Sequence, residues 1–252
     1  MIIDIQAARK SSIEQERIAD LMSILPDGNA VLDIGARDGY ISQLLAGRYE
    51  RVTALDLVKP SFDIDRVETI QGNVLALQFP DNAFDTVVCM EVLEHLAPGS
   101  LQTACDELTR VARGYVVIGV PYRQDLRVGR MTCQNCGGIS PAWNHLNSFD
   151  KDRLQRLFRR LNPVSVTFVG RTRARTNALS AWLLNRAGNP WGNFYQDERC
   201  LHCDQPLSPP MNRTLFQRAC SAVAFLLQQG QRPFIREHAN WIHIVFQKTS
   251  AL

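Results

Sequence analysis

Long uncharged apolar runs are missing from this chain of 252 residues, and their absence is the first limit on its function. No stretch reaches the roughly 18 apolar residues that a membrane-spanning helix needs. Residues 1–30 also lack the basic, apolar and small-residue zones of an export signal. Internal repeats and low-complexity segments are absent as well. We therefore expect a cytoplasmic protein with no transmembrane segment.

An excess of charge of one sign is also missing, because 28 Lys and Arg residues face 25 Asp and Glu residues and leave a net charge of +3. A balance this close does not require a polyanionic partner, so nucleic acid is permitted but not favoured. Hydrophobic residues make up 45% of the chain. This is enough for one α/β domain with a substantial core and an additional insertion.

A strand, a tight turn and a helix start are predicted for residues 30–40. Apolar β-type sequence leads to Asp33, and Gly35 and Gly39 follow. Glycine lets the backbone turn sharply and approach a ligand, and a helix N-terminus offers free N–H groups. A dinucleotide-binding turn would need glycine where Arg37 and Tyr40 stand. The turn therefore predicts a nucleoside-bearing ligand of another kind.

A second acid closes the next predicted strand, residues 51–56. Asp56 lies 23 positions after Asp33, and a carboxylate at about this distance accepts hydrogen bonds from the two ribose hydroxyls of a nucleoside. The alternative is a strand-end carboxylate that only caps a turn. Further strands are predicted at 67–71, 84–90, 114–121, 164–169 and 241–247, and helices at 11–25, from Tyr40, at 100–112 and from Ser148 to Asn162-Pro163.

The order of glycine turn, second-strand acid, polar residue after the third strand and the segment FDTVVCMEVLEHL resembles the class I S-adenosylmethionine-dependent methyltransferases, type 11-like. The resemblance covers residues 30–170 and the final strand. It implies an α/β, Rossmann-like, doubly wound sheet of seven strands whose last strand is antiparallel, and S-adenosylmethionine as cofactor. Asn73 stands where the family usually has Asp near the adenine ring, which puts its role in doubt. The resemblance assigns cofactor binding to Asp33, Gly35, Ala36, Arg37, Gly39, Asp56, Leu57, Asn73, Val74 and Met90.

Glu91, Glu94 and His95 follow the fourth predicted strand at a spacing that puts them on one face of a helical turn. Two carboxylates and an imidazole suit Mg²⁺ or Mn²⁺, and His95 alone suits a general base. The segment looks like that of ubiquinone-pathway O-methyltransferases and small-RNA 2′-O-methyltransferases, where it helps to hold a divalent metal. In the RNA enzymes a further histidine precedes the helix after strand five, and His145 occupies the matching place. Metal-assisted chemistry, a simple base at His95 or His145, and a purely structural role all remain open.

Two Cys-x-x-Cys pairs, Cys133 with Cys136 and Cys200 with Cys203, predict one structural Zn²⁺ bound by four thiolates. The loops that carry them follow parallel strands five and six and thus leave the same edge of the sheet. The alternative is unrelated reduced thiols. Cys89, Cys105 and Cys220 stand at apolar positions and are predicted to be core residues.

The predicted domains are a methyltransferase domain at 1–170 plus 241–252 and an insertion between strands six and seven at 171–240. We expect the zinc site to join this insertion to the 122–147 loop and to hold it over the acceptor site as a lid. Residues 213–229 predict an amphipathic helix whose apolar face packs on its own domain or on a sister subunit, so a homodimer is one expectation. Reversible membrane contact is the less favoured alternative.

The predicted function is O-methylation, with a sugar or glycan hydroxyl as the leading acceptor. The alternatives are an RNA ribose 2′-O-methyltransferase, which would use Arg171, Arg173, Arg175 and the 153–160 face on phosphates, and a small-molecule O- or N-methyltransferase. A non-catalytic scaffold that binds S-adenosylmethionine is the last alternative. The intact Asp33, Gly35, Gly39 and Asp56 argue against it.

Overall fold

The computed structural model describes residues 11–195 and 198–249, which form two compact units. The sheet unit comprises residues 16–122, 149–170 and 240–249. The insert unit comprises residues 11–15, 123–148, 171–195 and 198–239. The domain bounds predicted from the sequence stay a prediction.

A seven-stranded sheet with the order β3-β2-β1-β4-β5-β9-β8 forms the centre of the sheet unit. The strand β9 is antiparallel to both of its neighbours, and all other neighbouring strands are parallel. The predicted Rossmann-like sheet with an antiparallel seventh strand is therefore confirmed. Its strands are β1 (Ala30–Ile34), β2 (Arg51–Asp56), β3 (Val67–Gln71), β4 (Phe84–Met90), β5 (Ala112–Pro121), β8 (Leu161–Val169) and β9 (Trp241–Lys248).

Helices cover both faces of this sheet because the central strands are apolar on both sides. One core includes Leu32, Val87 and Ile118 with apolar residues of the helices on that face, and the other includes Val31, Val88 and Val117. Cys89 and Cys105 are fully buried in the first core, which confirms them as core residues. The helices are α1 (Ser12–Ile24), α2 (Tyr40–Ala46), α3 (Leu101–Val111) and α4 (Lys151–Leu157).

The predicted boundary between α4 and the following strand is wrong. The helix ends at Leu157, and β8 begins at Leu161, so Pro163 lies within the strand rather than closing the helix. Because β8 is an edge strand, the missing N–H of Pro163 need not be paired on the outer side, and the register shifts directly after it. The proline that the sequence pattern interprets as the end of the helix is thus accommodated within the edge strand.

The described part of the insert unit includes a two-stranded hairpin and two α-helices. The hairpin is β6 (Met131–Thr132) with β7 (Ile139–Ser140), and the helices are α5 (Ala178–Arg186) and α6 (Leu215–Gln231). Cys220 of α6 is buried, as predicted. Among the described residues, no helix combines the length and apolarity that crossing a membrane requires.

The expectation that the apolar face of α6 packs on its own domain is wrong. Leu215, Phe216 and Leu226 are exposed by 83%, 65% and 68%, and Val223 is also exposed. The buried side of the helix consists of Cys220, Ser221 and Ala224. The amphipathic pattern predicts the helix correctly, but it does not predict which side of the helix is buried. Burial against a sister subunit stays a prediction.

Candidate functional site

The turn after β1 is built from backbone conformations that glycine adopts at little cost. Gly35 and Gly39 have φ values of 79° and 81°, in the left-handed region. A Cβ on Gly35 would lie 2.4 Å from Cγ2 of Val92, and one on Gly39 would lie 2.6 Å from the Phe62 ring. The N–H groups of Gly35 and Ala36 donate to the carbonyl oxygen of the β2 residue Leu55 at 2.8 and 3.2 Å. The turn is therefore fixed to the end of β2.

Asp33 is buried beside this turn and is not in contact with solvent. Its Oδ2 accepts a hydrogen bond of 2.6 Å from Oγ of Ser42 on α2. Burial raises the pKa of Asp33 to about 6, and the negative charge of Asp56 adds to this, while the Ser42 hydroxyl acts in the opposite direction. Asp33 thus holds the turn and the helix start together, and it ionises reluctantly.

Asp56 lies at the carboxyl end of β2 and is partly exposed. Its Oδ2 accepts the backbone N–H of Arg37 at 2.9 Å. Within the described residues its Oδ1 has no hydrogen-bond partner. The carboxylate is thus oriented by the glycine turn, with one oxygen left to accept from a ligand.

The other residues predicted to bind the cofactor follow neighbouring strands of the same edge. Leu57 is 66% exposed after β2, whereas Val74 and Met90 are buried. Asn73 is exposed after β3, and its Oδ1 accepts the N–H of Leu75 at 2.9 Å, so its carbonyl oxygen stabilises a turn and its amide NH₂ points elsewhere. The roles of these residues toward a cofactor stay predictions.

Glu91 does not belong to a helical turn with Glu94 and His95, contrary to the prediction. It has a φ of 55°, in the left-handed region, and the short 3₁₀ helix runs only over Leu93–His95. The N–H of Glu91 donates to Gly119 on β5 at 2.9 Å. The chain therefore makes a sharp turn at the end of β4. The predicted placement of three side chains on one face of a helical turn does not hold for Glu91.

Two residues that the sequence analysis missed contact Glu91. Nε1 of Trp241 donates to Oε2 of Glu91 at 3.2 Å, and a guanidinium nitrogen of Arg17 lies 3.9 Å from Oε1. The Arg17 guanidinium also lies 5.6 Å from the centre of the Trp241 ring. Because β9 is antiparallel, its first residue lies at the carboxyl edge of the parallel strands. Neither contact has a local sequence signal, since three distant segments meet here.

Glu94 is fully buried, and its two carboxylate oxygens have no hydrogen-bond partner within the described residues. Burial, and then the negative charge of Glu91, raise its pKa well above the ordinary value. A buried carboxyl in this state is either protonated or balanced by a cation. Its donor set fits a hard divalent ion.

The His95 side chain is exposed by surface area, but neighbouring protein atoms still desolvate its ring. This desolvation and the positive charge of Arg37 lower the pKa of His95 below its ordinary value. The imidazole is therefore mostly neutral at neutral pH, the form that can accept a proton or ligate a metal.

His145 belongs to the insert unit and is buried there. It follows Trp143 and Asn144, both with a φ of 53°, and its Nδ1 lies 2.7 Å from Oε1 of Gln124. An amide oxygen only accepts, so Nδ1 donates, and in the neutral ring Nε2 then carries the lone pair. This tautomer suits a base or a ligand. Its predicted role beside Glu94 and His95 stays a prediction.

The first cysteine pair forms a tight knuckle at the tip of the β6–β7 hairpin. The N–H of Cys133 donates to Gly138 at 2.9 Å, and the N–H of Gly137 donates back to Cys133 at 3.0 Å. The N–H of Gly138 lies 3.4 Å from Sγ of Cys136. Backbone N–H groups thus point at sulfur.

The second pair repeats the same local structure. The N–H of Cys200 donates to Gln205 at 3.0 Å, and the N–H of Asp204 donates to Cys200 at 2.9 Å. Asp204 has a φ of 54° where the first knuckle has Gly137 with a φ of 71°. The N–H of His202 lies 3.4 Å from Sγ of Cys200. Two equivalent knuckles therefore exist in the insert unit.

The two knuckles face each other through their sulfur atoms. Sγ of Cys133 lies 3.7 Å from Sγ of Cys203, and Sγ of Cys136 lies 3.7 Å from Sγ of Cys200. A disulfide would need about 2.0 Å. Four thiolates at about 2.3 Å from a tetrahedral zinc ion lie about 3.8 Å apart. The spacing is that of a zinc site, and the four sulfur atoms all lie within 4.8 Å of one another.

Backbone dipoles favour thiolates at Cys200 and Cys203, whereas at Cys136 the Gly138 N–H is outweighed by the neighbouring sulfur atoms and burial, which raise the pKa to about 12. Burial opposes ionisation of Cys200, but the N–H groups of His202 and Cys203 outweigh it and lower its pKa to about 6. The N–H of Gln205 lowers the pKa of Cys203. Thiolates are the form that binds zinc.

Comparison with known proteins places these observations in a family. Residues 32–118 match the family described as a methyltransferase domain. The ubiquinone biosynthesis O-methyltransferase of Chromobacterium violaceum is 35% identical over 95 residues, which are 33% of this chain and 40% of the relative. The chain thus spans about two fifths of the length of such curated relatives.

Solved structures share the fold over nearly the whole chain. The 1,6-didemethyltoxoflavin-N1-methyltransferase of Burkholderia thailandensis has a TM-score of 0.56 at 17% identity and covers 97% of this chain and 81% of its own. The N-methyltransferase NodS of Bradyrhizobium japonicum has a TM-score of 0.55 at 14% identity, with 96% and 99% covered. Residues 32–118 thus match a methyltransferase domain, and the solved structures share the fold, in agreement with the predicted resemblance to the class I S-adenosylmethionine-dependent methyltransferases.

Proposed function

We propose that this protein transfers the methyl group of S-adenosylmethionine to an oxygen atom of a small hydroxylated acceptor. The observation that carries this proposal is the hydrogen bond between the glycine turn and the Asp56 carboxylate, at the carboxyl edge where β4 also ends in Glu91. Ligands of open α/β sheets bind at this edge.

The residues present fit S-adenosylmethionine. Asp56 offers an oxygen to the ribose hydroxyls, and the turn around Gly35 brings the backbone close without a Cβ. When bound, the cofactor supplies a methyl group on a sulfonium, and transfer leaves S-adenosylhomocysteine and one proton from the acceptor hydroxyl. What the chain must add is alignment of the acceptor and a place for that proton.

His95 is the residue that we propose as the proton acceptor. Its lowered pKa keeps the imidazole neutral at neutral pH, and it follows directly on the turn after β4. Arg17 and Trp241 fix the orientation of Glu91 beside it. His145 stays the second candidate for the base, with Nε2 as the accepting atom.

A divalent cation, Mg²⁺ or Mn²⁺, also fits this place. The buried oxygens of Glu94, with Glu91 and His95, are the groups that would hold it. Such an ion would lower the pKa of an acceptor hydroxyl. In its absence Glu94 is kept protonated by its raised pKa.

We also propose that Cys133, Cys136, Cys200 and Cys203 hold one structural Zn²⁺. Support comes from the equivalent knuckles, the sulfur distances of 3.7 Å and the lowered pKa of Cys200. The predicted closure of the insert over the acceptor site is kept as a prediction.

Oxygen as the accepting atom is supported by the relatives, which are named as O-methyltransferases of ubiquinone biosynthesis. Their names favour a small molecule over the sugar or glycan hydroxyl that the sequence analysis preferred. A saccharide acceptor therefore stays a prediction, and no observation favours RNA.

The test begins with calorimetry of S-adenosylhomocysteine binding, because its absence would leave no methyltransferase. Labelled S-adenosylmethionine is then offered with catechols and polyprenylated phenols, with saccharides and with RNA. We expect labelling of a phenolic small molecule. Labelling of saccharide or RNA alone would overturn the acceptor class, and labelling of nitrogen in an amine control would overturn oxygen as the accepting atom.

A further inference from the structure

Helix α6 presents its apolar side to solvent, the reverse of an ordinary surface helix. At 100° per residue, its outward residues form one stripe about a third of the circumference wide. Leu215, Phe216 and Leu226 are the largest of them and are 83%, 65% and 68% exposed. The remaining exposed residues of this stripe are Ala219, Ala222, Val223 and Gly230. A contiguous apolar stripe of this kind marks a binding surface.

The inward side of α6 carries small residues, and hydrogen bonds of two half-buried glutamines fix its orientation. Nε2 of Gln228 donates to Oγ1 of Thr176 at 3.1 Å, and Nε2 of Gln231 donates to the carbonyl oxygen of Arg175 at 3.0 Å. Nδ2 of Asn177 donates to Oε1 of Gln231 at 2.6 Å. Rotating the helix to bury its apolar stripe would break all three bonds. The outward orientation is therefore built into the insert unit.

Exposed apolar side chains also flank α6 in the sequence. Thr214 and Gln217 form a reciprocal capping box at the N-terminus. Met211 before the cap is 91% exposed and Phe234 after the helix is 84% exposed. Large apolar side chains thus continue on both sides of a helix whose start is well fixed.

The segment of the chain that contains α6 carries charges of one sign. Residues 205–236 contain no Asp or Glu and four arginines: Arg213, Arg218, Arg232 and Arg236. A contact between two copies of this surface would bring these arginines together without a compensating acid. An anionic surface would instead attract them, at about fivefold in affinity for each basic residue.

We infer that the exposed face of α6 binds the surface of a membrane that contains anionic lipids. An amphipathic helix with apolar residues on one side and arginines at its margins lies in the lipid headgroup region in this way. Leu215, Phe216 and Leu226 enter the apolar boundary, and Arg218 contacts the phosphate groups. This binding does not depend on the proposed methyl transfer.

Vesicle flotation with the full zinc-loaded chain tests the inference. Phosphatidylcholine vesicles, with and without phosphatidylglycerol, are the probes. We expect the protein to float with the anionic vesicles, and added salt to weaken this binding. Leu226→Glu should lower binding roughly tenfold or more, because an apolar side chain is replaced by an anion, and Arg218→Gln should lower it about fivefold.

Matched controls come from the sheet unit. Val164→Glu replaces another exposed apolar residue, and Arg159→Gln another exposed arginine; both should bind like the wild type. Circular dichroism of every variant excludes unfolding as the cause of a loss. The inference is overturned if the wild type stays unbound to anionic vesicles, or if Val164→Glu loses binding equally. It is also overturned if Leu226→Glu leaves vesicle binding unchanged but dissolves a dimer seen by sedimentation, because the occupant is then a second copy.

Discussion

The backbone N–H of Arg37 donates a hydrogen bond of 2.9 Å to Oδ2 of Asp56, which joins the glycine turn after β1 to the acid that ends β2. This bond orients the carboxylate without using its second oxygen. It joins two separate sequence signals, a glycine turn and an acid some twenty residues later, at the place where we propose that the nucleoside binds.

The first prediction concerns this carboxylate. Asp56→Ala should weaken S-adenosylhomocysteine binding by about 10- to 100-fold, because hydrogen bonds to a charged group contribute about 1.5–3 kcal/mol. Isothermal titration calorimetry measures the change. Glu68→Ala, which removes an exposed acid from β3, should bind like the wild type. Unchanged affinity in Asp56→Ala would remove the proposed site.

How far the sequence predicts the structure depends on whether a signal is local. The bounds of β1, β2 and β4 could be predicted because these strands are short, mostly buried apolar runs. The boundary between α4 and β8 could not be predicted, because Pro163 is compatible with a strand only where that strand lies at the edge of the sheet. The outward side of α6 could not either, because Gln228 and Gln231 find their partners in a segment some fifty residues away.

The candidate site divides in the same way. The spacing of Cys133, Cys136, Cys200 and Cys203 predicts a shared metal, and the structure brings these residues together. Arg17 and Trp241, however, reach Glu91 from opposite ends of the chain. The left-handed φ of Glu91 has no residue-level signal at all, since glutamate rarely adopts it.

A second prediction follows from the burial of Asp33. Its pKa is about 6 in the folded chain and about 3.9 in the unfolded chain. The folded state holds this proton more tightly, so between about pH 4 and pH 6 the unfolding free energy should fall by on the order of 3 kcal/mol. Below about pH 4 and above about pH 6 the contribution of Asp33 to the unfolding free energy should no longer change with pH.

Asp33→Asn tests this pH dependence in the cofactor-free protein. The amide oxygen can still accept from Ser42, but the side chain no longer ionises. Relative to the wild type, the variant should gain stability as pH rises through the window, as followed by urea unfolding at several pH values. Asp63→Asn, at an exposed position, should show no such trend. A constant difference between Asp33→Asn and wild type would contradict the burial effect.

The third prediction concerns the orientation of Glu91. Trp241→Phe keeps a ring but removes the indole N–H that donates to Oε2 of Glu91. We expect kcat to fall about tenfold, as for loss of a hydrogen bond to a charged group. The calorimetric affinity for S-adenosylhomocysteine should stay unchanged, which a general loss of structure would not allow. Trp182→Phe, at an exposed tryptophan, serves as the control and should keep full activity.

A fourth prediction tests the divalent cation. If Glu94 helps to hold it, Mn²⁺ should raise the thermal midpoint of the wild type, corresponding to about 2.7 kcal/mol at a hundredfold excess over Kd. Glu94→Gln should lose this response, while Glu50→Gln, at an exposed acid, should keep it. An equal Mn²⁺ response in Glu94→Gln and the wild type would place the ion elsewhere and leave His95 as a base without a metal.

The last prediction concerns zinc. Freshly purified wild type should contain about one zinc ion per chain, as measured by atomic emission, because four thiolates at this spacing form a closed tetrahedral site. Cys203→Ser should lose the metal and expose the insert unit to protease, since zinc binding contributes directly to folding. Cys220→Ala, which changes a buried thiol of α6 outside the cluster, should retain both zinc and protease resistance. If Cys203→Ser kept its zinc, or if the wild type contained none, the facing knuckles would be reduced thiols, and the hydrogen bonds at each knuckle would alone have to hold the two loops in place.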